Sequence, residues 1–147
     1  MKKCIVIDID GTLANSEKWQ KEYFCSGFHD EEGYMKHISR FPVSKWLEKL
    51  IGIYWAEYYD IFILTARHIS YRAETNHWLK KMTTIDTKIR SVIYKTDIKQ
   101  DASEFKLEQM KVISLYNDID IMFDDNPKTV KLLQDNGFNA VLVKSLY

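Results

Sequence analysis

The sequence predicts an α/β fold of three layers, in which a mostly parallel central sheet lies between two layers of helices. Short apolar runs alternate with longer segments whose apolar residues recur at helical spacing, and this alternation is typical of parallel sheets. The apolar runs are nearly continuous, which is typical of strands that helices cover on both faces. The chain has 147 residues, of which 46% are apolar, so it is long enough to form one hydrophobic core.

The strands are predicted at β-rich apolar runs that polar residues bound. In chain order, these runs cover residues 4–7, 61–64, 91–94, 119–123 and 140–143. The helices are predicted between the strands, over residues 43–59, 70–82, 103–116 and 127–136. Pro127 lies in the first turn of the last helix and Gly137 just beyond its end, as helix boundaries prefer.

Residues 14–42 show no sustained period, and we expect them to form a small cap-like insert with one helix over residues 16–25 and a loop. The aromatic residues of this insert are Trp19, Tyr23, Phe24, Phe28, Tyr34 and Phe41. Aromatic rings can stack on nucleic-acid bases, but the one-turn spacing of Trp19 and Tyr23 favours packing on the domain. Because no repeat or Pro/Gly/Ser-rich linker divides the chain, we expect one domain over residues 1–147.

The charged residues are balanced, with 21 basic and 21 acidic side chains and a formal net charge of zero. This balance argues against binding of long nucleic acid by bulk electrostatics, although it permits a local basic groove. The longest apolar run, residues 50–56, is far shorter than the ~20 residues that a membrane helix needs. Without a signal peptide and with only Cys4 and Cys25 as thiols, we expect a cytoplasmic protein with no membrane anchor. The sequence leaves the oligomeric state open.

An acidic pair, Asp8 and Asp10, directly follows the first predicted strand and precedes Gly11 and Thr12. Residues two apart project to the same side of an extended chain, and ligands of parallel sheets bind beyond the carboxyl ends of the strands. An acidic turn is the alternative interpretation. The position at the strand end favours a pocket that both carboxylates face.

A second acidic pair, Asp124 and Asp125, ends the fourth predicted strand. Adjacent carboxylates repel unless a cation is near, and Mg²⁺ prefers oxygen ligands of this kind. A solvated turn before Pro127 is the alternative. Together, the two pairs predict one divalent metal site.

Two single residues follow the pattern of a phosphate site. Thr65 ends the second predicted strand and offers a hydroxyl donor, and Lys106 lies near the start of a predicted helix as a point charge. A threonine at a strand end and a lysine on a helix are both common, so either one alone is weak evidence for a phosphate site. Their order along the chain is what makes them informative.

With the two acidic pairs, the threonine and the lysine in this order along the chain, the sequence resembles the haloacid dehalogenase-like phosphatase superfamily. The matching motifs are Asp8-x-Asp10-Gly-Thr12, Thr65, Lys106 and Asp124-Asp125. The resemblance implies a Rossmann-like sandwich with a small insert after the first strand, and a Mg²⁺-dependent phosphatase activity.

Within that superfamily, the chain is most similar to the 3′-phosphatase domain of bacteriophage-type polynucleotide kinase. The similarity lies in residues 8–14, in the pattern Arg67, Tyr71-Arg72, Thr75 and Trp78, and in an acid at Asp101 before Lys106. Thr65-Ala66 stands where that domain has serine-glycine, and the chain contains no P-loop.

The resemblance implies roles for these residues. Asp8 would attack phosphorus and form an aspartyl-phosphate, and Asp10 would protonate the leaving oxygen and then activate water. Thr65 and Lys106 would bind the phosphoryl group as further catalytic residues.

The resemblance also implies the ligands of substrate and metal. Thr12, Arg67 and Arg72 would bind the substrate, with Arg67 as a bidentate phosphate clamp. Mg²⁺ would be held by Asp8, by the backbone carbonyl of Asp10, and by one of the pair Asp124 and Asp125.

We therefore expect a phosphatase that removes a terminal 3′-phosphate from a DNA or RNA end, as in nucleic-acid repair. A phosphatase for (deoxy)nucleoside monophosphates or another small metabolite is the alternative. A receiver-type signalling domain would need a phospho-acceptor at the end of a middle strand, whereas Asp60 precedes its strand. A catalytically silent binding module would have no reason to retain both acidic pairs.

Overall fold

The computed structural model describes residues 1–25, 27 and 29–144, and its centre is a five-stranded sheet in which all paired strands are parallel. The strands are β1 (Lys2–Ile7), β2 (Asp60–His68), β3 (Ile89–Lys95), β4 (Asn117–Asp124) and β5 (Ala140–Leu142). Their order across the sheet is β3-β2-β1-β4-β5. The α/β class and the parallel sheet predicted from the sequence are confirmed.

Helices connect the strands and cover both faces of the sheet. They are α1 (Glu17–Tyr23), α2 (Glu31–Met35), α3 (Lys45–Ala56), α4 (Arg72–Met82), α5 (Ala102–Ser114) and α6 (Pro127–Asp135), with short 3₁₀ turns at Ile38–Arg40, Ile69–Tyr71 and Asp86–Lys88. The α5 helix begins after Asp101, whose carboxylate accepts from the Glu104 N–H at 3.1 Å. The α6 helix begins after Asn126 with Pro127 in its first turn, as the sequence predicts.

The insert differs from its prediction, because it contains a second helix where a loop was expected. Asp30 caps α2 by accepting a hydrogen bond from the Gly33 N–H at 2.8 Å. A helix of five residues is too short to show a helical period, so the sequence pattern missed it. The packing prediction is confirmed for Trp19, which is buried, and for Tyr23, which is partly buried against the same cluster. Tyr34 and Phe41 of the insert are buried as well. Phe28 lies outside the described residues.

The sheet separates two hydrophobic clusters, and alternate residues of β1 contribute to each. Ile5 and Ile7 face the insert, α3 and α4, whereas Cys4 and Val6 face α5 and α6. This alternation follows from the two-residue period of a strand. Cys4 is a free, buried thiol and Cys25 a free, exposed one.

The central position of β1 determines where chemistry can occur. The register places Ile7 beside Ile63 of β2 and beside Phe123 of β4, so the carboxyl ends of three strands meet. The residues that follow these ends face one region above the sheet. In the described part of the chain, none of the helices is long and apolar enough to cross a membrane.

Candidate active site

The turn after β1 holds Asp8 in a fixed orientation at the floor of the site. The Asp8 N–H donates to the Phe123 carbonyl at 3.0 Å, and the Thr12 hydroxyl donates to Asp8 Oδ2 at 2.9 Å. Gly11 has a φ of +76°, and a β-carbon there would overlap the Asp125 carboxylate. Glycine, which has no β-carbon, both adopts this left-handed φ readily and lets the Asp125 carboxylate lie this close to the backbone.

Lys106 reaches the same carboxylate from α5 on the other side. Its ammonium donates to Asp8 Oδ1 at 2.8 Å and to Asp124 Oδ2 at 2.6 Å. Burial lowers the pKa of Lys106, but Asp8 and Asp124 outweigh burial and raise it above its usual value. Lys106 is therefore a permanent positive charge between two strand ends.

Three carboxylates form an acidic cluster beside this lysine. Oxygen atoms of Asp8, Asp124 and Asp125 lie within 4.8 Å of one another. Burial and the neighbouring Asp124 raise the pKa of Asp8 well above its usual value and that of Asp125 to about 6. Three carboxylates against one ammonium leave excess negative charge and hard oxygen donors, which suits a divalent cation such as Mg²⁺. The Asp10 carboxylate is not a member of this cluster.

Asp10 is held instead by Arg67 from the end of β2. The guanidinium donates from Nε to Asp10 Oδ2 at 2.9 Å and from Nη2 to Oδ1 at 2.7 Å. Its Nη1 donates to Thr75 Oγ1 of α4 at 3.0 Å. Burial raises the pKa of Asp10, but Arg67 outweighs burial and lowers it. Arg67, expected to clamp phosphate, is thus paired with a carboxylate of the protein, and its contact with phosphate stays a prediction.

Tyr34 of the insert completes the environment of Asp10, and sequence reasoning assigned it no role there. Its hydroxyl donates to Asp10 Oδ1 at 2.6 Å and lies 2.7 Å from Ser16 Oγ. The pair is separated by 24 positions in the chain, and no local motif joins them. Only the folding of α2 over the site brings Tyr34 to Asp10.

The predicted site residues separate into two groups. Those that line a cavity of about 510 Å³ are Asp8, Asp10, Arg67, Lys106, Asp124 and Asp125. Thr12 and Thr65 lie underneath and are buried, and the Thr65 hydroxyl accepts from the Arg67 N–H at 3.2 Å. Arg72 lines a different cleft, next to Asn76 and Tyr94. The roles of Thr12, Thr65 and Arg72 toward a substrate stay predictions.

The insert and the end of β3 form walls of the cavity. Residues from the insert that line it include Gln20, Phe24, His29, Glu31 and Tyr34, and Lys95 lines it from the end of β3. The cavity volume lies in the range of small-molecule sites. Sequence reasoning placed this insert near the site but named none of its side chains as part of it.

This fold and site define a class. An all-parallel sheet with an acidic pair after its central strand, a second pair after a neighbouring strand, and a lysine between them is the arrangement of a haloacid dehalogenase-like phosphatase. The chain belongs to the NLI interacting factor-like phosphatase family, whose model matches residues 3–142. The expected superfamily and the expected phosphatase class are confirmed.

Solved structures share the fold. A chain of the Pnkp1/Rnl/Hen1 RNA repair complex superposes with a TM-score of 0.74 at 14% identity, covering 98% of this chain and 43% of that one. The class C acid phosphatase from Bacillus anthracis gives 0.73 at 16% identity, covering 99% and 67%. A haloacid dehalogenase-like hydrolase from Streptococcus pneumoniae gives 0.65 at 12%, covering 96% and 84%.

The chain spans less than half the length of the RNA repair complex chain that it matches. The superpositions establish a common fold. A search of curated proteins found no significant match.

Proposed function

We propose that this protein is a Mg²⁺-dependent phosphomonoester hydrolase that forms an aspartyl-phosphate on Asp8 and removes a terminal 3′-phosphate from a polynucleotide. The observation that carries the proposal is the buried Asp8 carboxylate at the floor of the cavity, held by Thr12 and Lys106. A carboxylate fixed from both sides is oriented for in-line attack, because little rotational freedom remains to be lost in the transition state.

The acidic cluster supports the metal requirement. Asp8 and one or both of Asp124 and Asp125 would hold Mg²⁺ together with the Asp10 backbone carbonyl. When bound, the cation supplies neutralisation of the charge on the phosphoryl oxygens. Lys106 supplies a fixed positive charge to the same region and bridges Asp8 and Asp124.

Asp10 is the proposed proton carrier. It lines the cavity two residues beyond the nucleophile, and a general acid must come within hydrogen-bond reach of the leaving oxygen. Its pairing with Arg67 favours the ionised form, which suits the activation of water in the second half of the reaction. Donation to the leaving oxygen in the first half requires Arg67 to release Asp10, and the phosphate of the substrate is a competing partner for that guanidinium.

The substrate class is supported by two independent similarities. Residues 65–78 resemble the 3′-phosphatase domain of bacteriophage-type polynucleotide kinase, and the fold matches a chain of an RNA repair complex. The insert is small, and it leaves a cavity that the end of a polymer can enter.

A free nucleoside monophosphate is the second candidate substrate. The observation that favours it is the cavity itself, because Phe24 and His29 of the insert stack at 4.5 Å between ring centroids and both line it. A cavity of about 510 Å³ is large enough for a mononucleotide.

The test is phosphate release with and without Mg²⁺ from a matched panel of substrates. The panel contains 3′-phosphorylated and 5′-phosphorylated oligonucleotides, the corresponding mononucleotides, and several sugar phosphates. We expect the highest kcat/KM for the 3′-phosphorylated oligonucleotide. A preference for mononucleotides would replace the proposal with the second candidate.

Asp8→Asn tests the nucleophile. The amide cannot form the acyl phosphate, so we expect kcat to fall on the order of 10³-fold or more while the circular dichroism spectrum is retained. Asp118→Asn, an exposed acid at the start of β4, is the matched control and should keep full activity. Steady-state turnover by Asp8→Asn near the wild-type rate would contradict the assignment.

A further inference from the structure

A positively charged groove runs along the edge of the sheet formed by β3, away from the cavity described above. Two adjoining clefts of about 340 and 530 Å³ make it up, and they share Ile89 and Arg90. The first cleft lies between α4 and β3, and the second lies between the end of α3 and the starts of β1, β2 and β3. We call these two clefts together the β3 groove.

The β3 groove is lined by more basic than acidic residues, although the chain as a whole has a formal net charge of zero. The charged residues that line it are Lys2, Arg72, Lys80, Lys88 and Arg90, against Asp60 and Asp86. Lys2 is paired with Asp60 at 2.8 Å. Within the part of the chain that the structure describes, Arg72, Lys80 and Arg90 have no carboxylate within 4.0 Å. These three exposed cations are therefore available to an anionic polymer.

Aromatic rings stand at the far end of the groove. Trp55 is 49% exposed and Tyr58 is 85% exposed, and both line the second cleft. The Lys88 ammonium lies 5.4 Å from the Trp55 ring. Tyr58 has a φ of 66°, a left-handed conformation that glycine usually provides after a helix. This conformation ends α3, where the Tyr58 and Tyr59 N–H groups donate to the Trp55 and Tyr54 carbonyls at 3.0 and 3.1 Å. The Tyr58 ring takes no part in these backbone hydrogen bonds, and exposed rings beside cations are the elements of a stacking surface for bases.

The near end of the groove adjoins the active site. Tyr94 lies beside Thr65 in the sheet, and its hydroxyl donates to Asn76 Oδ1 at 3.2 Å. The preceding residue of α4, Thr75, accepts the hydrogen bond from Arg67. Lys95, which follows Tyr94, lines the active-site cavity. Adjacent residues of β3 thus line the groove and the cavity, and the groove follows β3, whose seven residues span about 23 Å.

We propose that the β3 groove binds the single-stranded segment of the polynucleotide that precedes the 3′-phosphate. This inference rests on the proposed function. Phosphates of the strand contact Lys80 and Arg90, and bases at the far end stack on Trp55 and Tyr58. At ~3.4 Å per stacked nucleotide, the groove accommodates about six whole nucleotides.

Chain length is the first readout. We expect kcat/KM of the wild-type protein to rise with oligonucleotide length up to roughly six nucleotides, as the strand fills the groove, and then to level off. The gain should decrease steeply with salt, because phosphate contacts release counterions.

A charge-neutral double variant tests the groove itself. In Lys80→Gln/Arg90→Gln, we expect the ratio of kcat/KM for a 3′-phosphorylated hexanucleotide to that for a 3′-mononucleotide to fall about tenfold or more, with a salt slope shallower by about two. The matched control is Lys111→Gln/Lys131→Gln, which removes two exposed lysines from α5 and α6 on the opposite face. The control should keep the wild-type ratio.

A binding measurement separates the two proposals. Fluorescence anisotropy of a labelled hexanucleotide with a 3′-hydroxyl measures the affinity of the groove for the strand without any catalysis. We expect Trp55→Ala to weaken this binding as the charge variant does. Equal affinity for wild type, groove variant and control, or no binding by the wild type, would overturn the groove. Oligonucleotide binding without release of 3′-phosphate would instead overturn the proposed function and leave the groove supported.

Discussion

At the scale of single residues, Asp10 is the side chain on which most of the site depends. Two donors from different parts of the chain hold its carboxylate, Arg67 from β2 and Tyr34 from the insert. The same residue is the proposed proton carrier, so its position relative to Asp8 must be fixed before the substrate arrives. We infer that Tyr34 is a positioning residue, because its hydroxyl acts on Asp10 and not on phosphorus.

Tyr34→Phe tests that role. Hydrogen bonds to charged groups contribute about 1.5–3 kcal/mol, so we expect kcat to fall on the order of 10- to 100-fold with KM nearly unchanged. Tyr23→Phe is the matched control, since it removes an insert hydroxyl that contacts His37 at 2.8 Å. A loss of activity in both variants, in proportion to their loss of thermal stability, would show that Tyr34 only stabilises the insert.

At the scale of elements, the site is assembled from the carboxyl ends of three neighbouring strands and one helix. β1 leads to Asp8, β2 supplies Arg67, β4 supplies Asp124 and leads to Asp125, and α5 supplies Lys106. The backbone hydrogen bond between Asp8 and Phe123 fixes β1 to β4 at this level. The sheet thereby holds the carboxylates of Asp8, Asp124 and Asp125 close together. Their repulsion destabilises the folded state until a cation binds.

Magnesium should therefore stabilise the fold as a whole. At a Mg²⁺ concentration 100 times its Kd, binding contributes about 2.7 kcal/mol, which corresponds to a rise in Tm of roughly 5–10 °C for a chain of this size. Asp125→Asn should raise the Tm of the metal-free protein, because one repelling charge is gone, and should lose most of the response to Mg²⁺. The measurement is thermal unfolding by circular dichroism with and without Mg²⁺.

Asp135→Asn is the control for the loss of a carboxylate. Asp135 is exposed and paired with Lys131 at 3.1 Å, so its variant should respond to Mg²⁺ as the wild type does. An unchanged Tm of the wild-type protein at every Mg²⁺ concentration would contradict a metal site at the acidic cluster.

At the scale of the whole molecule, one sheet couples two hydrophobic clusters. The cluster that contains the insert, α3 and α4 shares β1, β2 and β4 with the cluster under α5 and α6. Neither cluster can form without the strands that the other covers. We therefore expect both to unfold in a single cooperative transition.

Met110→Ala tests this coupling. Met110 is fully buried in the cluster under α5 and α6, and its truncation should cost about 2–5 kcal/mol. The tryptophans lie in α1, α3 and α4, on the other side of the sheet. We expect urea transitions followed by tryptophan fluorescence and by far-ultraviolet circular dichroism to shift together, whereas a fluorescence transition that stays in place would show independent unfolding.

Strands, long helices and acidic motifs could be predicted from the sequence because each has a local cause. The apolar run of residues 4–7 predicts a buried strand whatever its neighbours in the sheet are. Asp8 and Asp10 come next in the chain, so they must lie at the end of that strand. Helical periods identified α3 to α6 within a few residues, and the order of Asp8, Thr65, Lys106 and Asp124 was enough to indicate the superfamily.

Other features were decided only by the tertiary structure, because their partners are distant in the chain. The pairing of Arg67 with Asp10 joins residues 57 positions apart, and the contact of Tyr34 depends on a five-residue helix that has no periodic signal. The sequence could name Arg67 as a cation near phosphate, but its neighbours follow from the packing of β2, α4 and the insert around one cavity. Local patterns determine which elements form, whereas packing determines which side chains meet.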